Sequence, residues 1–372
     1  MANKRINLIL WSWMLCAVAA RPVVAQHSQK GGVRPIGMGS AFVAVGDDEN
    51  TLFFNPAGLN TLKRGHTTVL VNFQGIQNKQ SFDVFKFLLD EHDVVSNLLD
   101  HQPVENQTAL NKLQQVAEVP ANLAISNRLF ETVGYNKGVS FQVENFSQYK
   151  LEQTTTGWRI RHFFSMRSTL LVGYARKMPS ENNLAPFAFG ASFAYVVSEN
   201  YSEFNQIQNS QDFRSYYYQP NLRRIFDKTI MQNGLIANLG GLYKIQKYHT
   251  NVGAVIYNFL TMGGLDPMAK VYSFGIANRP LEFTNTEFLK DCVIAVDYVD
   301  AFTSRATLHL GLEAKLPLIA GRVGLQGGRT TYGLSLDLGF LKIHYAYAPV
   351  RGTFYLFEKN SYQHFVEFRI GS

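Results

Sequence analysis

Ten consecutive residues, 307–316, alternate without a break. Leu308, Leu310, Leu312, Ala314 and Leu316 fall on one side, and Thr307, His309, Gly311, Glu313 and Lys315 on the other. Successive side chains of a strand point to opposite faces, so the stretch has one greasy and one polar face. The 3.6-residue period of an amphipathic helix does not fit it. The pattern recurs. Leu334, Leu336, Leu338 and Phe340 oppose Ser335, Asp337 and Gly339, and Cys292, Ile294, Val296 and Tyr298 oppose Asp291, Ala295 and Asp297. Val139, Phe141 and Val143 oppose Ser140, Gln142 and Glu144, and Tyr362, His364, Val366, Phe368 and Ile370 oppose Gln363, Glu367 and Arg369. Further strand-like stretches lie near 65–76, 121–130, 157–166, 168–178, 186–204, 234–247, 249–262, 270–279, 320–329 and 341–350. The segments number 14 or 15. Single-chain bacterial barrels have an even number of strands, which selects about 14.

A sheet with one apolar face needs either a second layer or lipid. The rest of the sequence favours lipid. Lys4 and Arg5, the apolar run Leu8 to Val18, and Val23 and Ala25 before Gln26 predict a secretory signal peptide over 1–25. Beyond it no run of 18 or more apolar residues occurs, so helical membrane spans are not expected. Charged residues make up only 17% and aromatics 13%, against a usual charged share of about 25%. An exported chain of this kind can cross a membrane as a closed β-barrel, because closure satisfies every backbone polar group inside lipid. The expectation is an all-β transmembrane antiparallel barrel over 65–372, in the bacterial outer membrane, with lipid as a constant partner. Aromatics near strand ends (Tyr345 and Tyr347, Tyr355 and Phe357, Phe163 and Phe164, Tyr257 and Phe259) suit interfacial girdles. Turn signals include Pro179-Ser180, Met262-Gly263-Gly264 and Gly327-Gly328.

Two stretches depart from the pattern. Phe82, Phe85, Leu88 and Leu89, then Leu110, Leu113, Val116 and Ala117, have helical spacing and predict a helical insert over 81–119, ended by Pro120. Residues 205–233, with Tyr216-Tyr217-Tyr218, predict a long polar loop. Both belong on the outer side, where long excursions lie.

Residues 26–64 are neither strand-like nor long enough to be a domain. Within them, Gly37 and Gly39 let backbone approach backbone closely. Asp47 and Asp48 suit a cap on a short helix near 49–54, in preference to a cation site. Pro56 turns Asn55 away from helical geometry, and Gly58 permits a further bend. The segment is small, bent and mostly apolar, and predicts a plug, or hatch, inside the lumen. Met38, Phe42, Val43, Leu52 and Phe53 are the candidates for lining a route for a hydrophobic ligand along it.

The run Gly37-Met38-Gly39-Ser40-Ala41-Phe42-Val43-Ala44-Val45-Gly46-Asp47-Asp48, continued by Phe54-Asn55-Pro56-Ala57-Gly58-Leu59, resembles the N-terminal hatch of the long-chain fatty-acid transporter family of outer-membrane proteins. It looks closer still to the branch that holds the type IX secretion shuttle barrels and related exported barrels. Leu308-His309-Leu310-Gly311-Leu312-Glu313, Arg322-Val323-Gly324-Leu325 and Ile343-His344-Tyr345-Ala346-Tyr347-Ala348 are similar to that branch's closing strands. The resemblance implies a 14-stranded barrel with the N-terminal segment folded inside. It also implies one of two roles: passage of small hydrophobic compounds, or a secretion-associated or scaffold barrel that binds partner proteins.

Other functions find little support. After signal removal Cys292 is the only cysteine, which excludes a disulfide-stapled secreted fold. The formal charge of +7 is spread along the chain, with no basic block for nucleic acid. No Gly-x-Ser-x-Gly elbow, Walker loop or His-Glu-x-x-His motif occurs. No cofactor, metal or enzymatic activity is expected. Asp291, Asp297 and Asp300 read as lumen-facing polar residues. A hydrolytic barrel needs a Ser/His pair on adjacent lumen positions, which depends on strand register.

Overall fold

The structure, a computed structural model, describes residues 31–62, 65–77, 111, 121–154, 157–178, 187–207, 230–265, 268–280, 288–349 and 362–370. Fourteen antiparallel strands close into one barrel. They are β1 (His66–Gln77), β2 (Ala121–Gly134), β3 (Lys137–Thr154), β4 (Gly157–Lys177), β5 (Phe187–Ile207), β6 (Ile230–Ile245) and β7 (Thr250–Gly263), then β8 (Val271–Asn278), β9 (Asp291–Val299), β10 (Thr307–Lys315), β11 (Ile319–Gln326), β12 (Arg329–Asp337), β13 (Leu341–Pro349) and β14 (Tyr362–Ile370). Neighbours in sequence are neighbours in the sheet, and β1 closes on β14 through Gly75, Ile76 and Gln77 opposite Val366, Phe365 and His364.

Alternation decides which face each residue meets. On β10, Thr307, His309, Gly311 and Glu313 are buried toward the lumen, while Leu312 is exposed. On β12, Leu334 is 53% exposed outside and Ser335 is 5% exposed inside. Phe193, Ile276, Ile294, Val323 and Phe368 extend the apolar exterior around the wall. This is the surface of a transmembrane barrel. Among the described residues no helix is long and apolar enough to cross a membrane. Strands β8–β14 have 8 or 9 residues, close to the roughly 9–11 that span a bilayer. β4 and β5, with 21 each, run about 70 Å at 3.3 Å per residue and so rise well past the membrane.

Several expectations are corrected. The stretches 157–166 and 168–178 are one strand, β4, because residues 157–174 pair without a break against β3 from Lys137 to Thr154. That merger removes the fifteenth strand. Residues 205–207 belong to β5 and 230–233 to β6 rather than to the long loop. The rest of that loop, the signal peptide over 1–25, and the insert over 81–119 apart from residue 111, lie outside the described residues, as do Tyr355 and Phe357. The 334–340 alternation overruns its strand: β12 ends at Asp337, and Leu338 to Phe340 form a turn. Tyr257 is not a girdle residue. It shares the inward phase of Asn251, Gly253 and Val255, and its hydroxyl donates to the Phe54 carbonyl at 2.6 Å; the period breaks only beyond it, at the register shift beside Asn258 (φ 53°).

The turns between β2 and β3, β6 and β7, β10 and β11, and β12 and β13 gather at one end with the C-terminus of β14. The 78–120, 208–229 and 350–361 excursions leave from the other end. Long excursions mark the outer side, so the short-turn end faces the periplasm.

Candidate functional site: the plugged lumen

Residues 31–62 lie inside the barrel. They form helix α1 (Val33–Gly37), helix α2 (Thr51–Phe54) and a 3-10 helix (Pro56–Thr61). α1 was not expected from sequence, since Pro35 and Gly37 discourage it. Pro35 falls within the first turn, where no N–H is needed. The cap of α2 is also corrected. Asn50, not an aspartate, occupies its N-cap and makes no side-chain cap bond. Asp48 accepts the Asn50 N–H at 2.9 Å, but Asp47 serves cations instead. At the other end Asn55 is extended (φ −150°) and its side chain accepts the Ala57 N–H, so Pro56 begins the 3-10 helix.

The plug fits because both surfaces are cut back to backbone. Gly39 sits at φ 64°, a conformation side chains other than glycine's rarely adopt. A Cβ there would lie 2.6 Å from the carbonyl oxygens of Leu310 and Leu325 in the wall. Reciprocally, a Cβ on Gly311 of β10 would lie 2.6 Å from the Met38 carbonyl oxygen. Gly37 meets Gly333 of β12, and Gly58 packs on Gly46 and Thr51 within the plug.

One side of the plug is ionic. Arg34 is buried, and its guanidinium is shared among three carboxylates. Nε and Nη2 donate to Glu313 of β10 at 2.8 and 2.6 Å, Nη1 to Asp47 and Asp48 at 2.7 and 2.6 Å, and Nη2 to Asp47 at 2.9 Å. Asp47 also takes Arg279 at 2.7 Å, and Glu313 takes Arg322 of β11 at 2.5 Å. Further round, Glu49 pairs with Arg369 of β14, and Asn50 accepts from Gly32 N and from Arg128 of β2. Burial alone would neutralise these groups. It works against the Arg34 charge, yet Asp47, Glu313 and Asp48 outweigh it and hold its pKa above the ordinary value. Burial likewise opposes ionisation of Asp47, but Arg34, Lys315 and Arg279 hold its carboxyl well below the usual range. Glu49 follows the same logic: against burial, Arg369 above all brings it to about 2. Asp48 goes the other way. Burial, with Glu49 beside it, lifts its carboxyl to about 6 despite Arg34.

Fixed polar points also tie plug backbone to wall. Asp297 of β9, fully buried, accepts the N–H groups of Phe42 and Val43 at 2.6 and 2.8 Å. Asn251 donates to the Ala44 carbonyl at 3.0 Å, and Asn55 to those of Val43 and Gly241 at 2.8 and 3.1 Å. Asp291 approaches Lys315 and Arg279, and Asp300 sits in the turn after β9.

The opposite side of the plug is apolar. Leu52, Phe53 and Leu59 pack with Val133, Leu171, Ala175, Ala194, Val196 and Ile236 of the β2–β6 wall, and Leu265 and Met268 after β7 join them. Met38 and Phe42 belong to a second cluster with Val293 and Ala295, and Val43 to a third with Val255, Tyr257, Val271 and Val299. All five residues singled out for ligand lining are thus packed against wall or plug. None of them borders the cavity of about 220 Å³ near the periplasmic end, whose lining is mostly charged and polar.

Sequence reasoning missed the ionic anchors. Arg34 carried a signal: it is the only charged residue between Gly31 and Gly46, and a lone cation in an apolar segment needs a buried acid. Which acid it meets, 279 positions away, is a matter of register.

No family model and no curated protein matches the chain. Among solved structures it is similar to the CymD monoaromatic hydrocarbon channel, at 12% identity over 91% of this chain and 96% of that chain, with a TM-score of 0.48. It is similar to the P. putida toluene transporter TodX at 12% identity over 92% and 97%, with a TM-score of 0.42. It is similar to outer membrane phospholipase A from Escherichia coli at 12% identity over 82% and 97%, with a TM-score of 0.30. The likeness is one of barrel fold alone.

Proposed function

We propose that this outer-membrane barrel passes small hydrophobic compounds through its lumen, along the face where apolar plug and wall side chains meet, bordered on the β2 side by the Arg128 guanidinium that lies over the Phe53 ring. The observation that carries the reading is the continuous apolar column in which Leu52 and Phe53 take part. It runs from Leu265 and Met268 at the outer end to Val133 and Ala175 near the periplasmic turns. Between Gly190, opposite Ala175, and Val196 it covers six residues of β5, about 20 Å at 3.3 Å per residue. Water finds few partners there, whereas an apolar solute replaces one dispersion contact by another as side chains change rotamer. The ionic face keeps the plug in place meanwhile. Met38, Phe42 and Val43 pack in separate clusters toward the β6–β11 wall and lie off this route.

The test uses liposomes with an outer leaflet of lipopolysaccharide, which slows unassisted entry of hydrophobes. The protein is expected to speed entry of N-phenyl-1-naphthylamine, and Leu52→Asn to slow it, while Asp337→Asn at the periplasmic rim leaves the rate unchanged. Equal entry with and without protein would end the reading. It would turn attention to the same barrel as a docking partner for secretion proteins.

A further inference from the structure

We propose that Ser335 and His344 form a nucleophile–base pair that hydrolyses small carboxylic esters in the periplasm-facing cavity. The two residues lie directly opposite each other on β12 and β13, and both side chains point into the lumen. Ser335 Oγ and His344 Nδ1 are 2.5 Å apart. Both line the cavity of about 220 Å³, together with Arg322 and Glu367. That volume lies below the roughly 300–1,000 Å³ of drug-sized ligand sites, which restricts the substrate to a short acyl chain on a small alcohol.

The surroundings orient the pair. Arg322 Nη1 donates to Ser335 Oγ at 2.5 Å, and its Nε is held by Glu313 at 2.5 Å. With one lone pair of Oγ occupied by the guanidinium, the serine hydrogen is directed to Nδ1, which therefore accepts. The imidazole keeps its own hydrogen on Nε2. Across the next strand pair, Glu367 of β14 stands opposite His344, accepting from Val33 N at 3.0 Å and from Arg369 at 3.3 Å. A carboxylate beside the ring favours the imidazolium that forms during attack.

The chemistry balances without a cofactor. Oγ bonds to the acyl carbon as its proton moves to Nδ1. The carbonyl oxygen becomes an oxyanion within reach of Arg322, a fixed donor of the kind that stabilises such charge. The bond to the leaving alcohol then breaks, and Nδ1 returns the proton to the alcohol oxygen. Water, deprotonated by the same nitrogen, attacks the acyl carbon; the acyl–Oγ bond breaks, Nδ1 returns that proton to Oγ, and the carboxylic acid leaves with Ser335 restored. A serine and histidine serving only to steady Arg322 would need no adjoining cavity and would show no turnover.

The experiment uses full-length mature protein in detergent. A fluorophosphonate probe is expected to label it, with the adduct on Ser335 by peptide mass spectrometry, and p-nitrophenyl acetate to be turned over. Ser335→Ala and His344→Gln are each expected to lower turnover by about 10²-fold or more, while Ser273→Ala, a lumen serine on β8, leaves it unchanged. Heat-modified gel mobility reports that each barrel is intact. Labelling elsewhere or nowhere, or turnover retained in Ser335→Ala, overturns the assignment. The adduct map on wild-type protein decides the matter even if a variant fails to assemble.

Discussion

Replacing Arg34 by methionine tests the claim that buried charge holds the plug. Arg34 makes five hydrogen bonds to three carboxylates, and the cost of its loss depends on what each carboxylate keeps. Glu313 keeps Arg322 at 2.5 Å and Lys315 at 3.3 Å. Asp47 keeps Arg279 at 2.7 Å. Among the described residues Asp48 keeps only Asn50, at 2.9 Å from both its backbone and its side-chain nitrogen. Breaking a buried pair from one side costs about 3–5 kcal/mol, and two of the three acids here retain a cation, so the lower figure applies. About 3 kcal/mol is roughly a 10²-fold rise in the population of undocked plug. The reporter is a cysteine at Thr51, 1% exposed with a hydroxyl that finds no partner among the described residues, in a Cys292→Ser background. A water-soluble maleimide reaches it only when the plug opens, so its labelling rate follows that population. Arg34→Met is expected to label about 10²-fold faster, and Arg34→Met with Asp48→Asn to recover at least half of that loss on a logarithmic scale. Lys342→Met breaks a half-exposed pair with Asp337 at 3.3 Å, of a class worth about 0–1 kcal/mol. If Arg34→Met labels no faster than Lys342→Met, the ionic face does not hold the plug and the reasoning is wrong.

Three further outcomes are expected. Gly39→Val places side-chain carbons against two wall carbonyl oxygens at a positive φ, so the plug cannot seat. Conductance in planar bilayers should appear where wild type is silent, and a silent variant counts against close backbone contact. Asp297→Ala strands the Phe42 and Val43 N–H groups, a penalty of about 1–3 kcal/mol for each buried donor. Their hydrogen exchange should quicken by about 10-fold or more, with Asp297→Asn in between, and unchanged exchange would show that the carboxylate is dispensable. Asp48 holds its proton up to about pH 6 when docked, against an ordinary 3.8. Docking therefore gains from this group as pH falls from about 6 toward 4. Asp47 and Glu49, held low, favour docking above their ordinary values and withdraw that support as pH falls, Glu49 toward about 2. Thr51→Cys labelling, divided at each pH by that of a freely exposed cysteine to remove the fall in thiolate, should therefore slow slightly between pH 7 and 5, and Asp48→Asn should abolish the slowing; a normalised rate that rises over that interval contradicts the assignment.

The barrel was legible because its signal is local. Alternation on β10 places Glu313 and Leu312 on opposite faces whatever the rest of the chain does. Strand limits were less legible where no turn residue interrupts the run, as within β4, and where a bulge breaks the period, as at Asn258. In the plug, Pro56 and Gly39 announced their geometry through backbone restrictions that need no partner. Partners were not legible. That Arg34 meets Glu313, or that Ser335 stands across from His344, follows from how strands slide past one another before they lock. A shift of one residue would turn those same side chains toward lipid.

The two faces of the plug assign it an axis of motion. Charge-assisted bonds weaken steeply as donor and acceptor separate or tilt, so the side bearing Arg34, Glu49 and Asp297 tolerates rotation about itself but not withdrawal. Apolar contacts carry no direction. The side bearing Leu52, Phe53 and Leu59 can therefore loosen by side-chain rotation and re-form against a solute while the bonds of Asn50 to Arg128 and of Asn55 to Gly241 hold at its two edges. Small displacements that admit a hydrophobe are on this account confined to the β2–β6 wall, with the β9–β14 wall acting as the hinge. The cavity beside Ser335 lies on the hinge side, so its geometry survives the passage of a solute on the other.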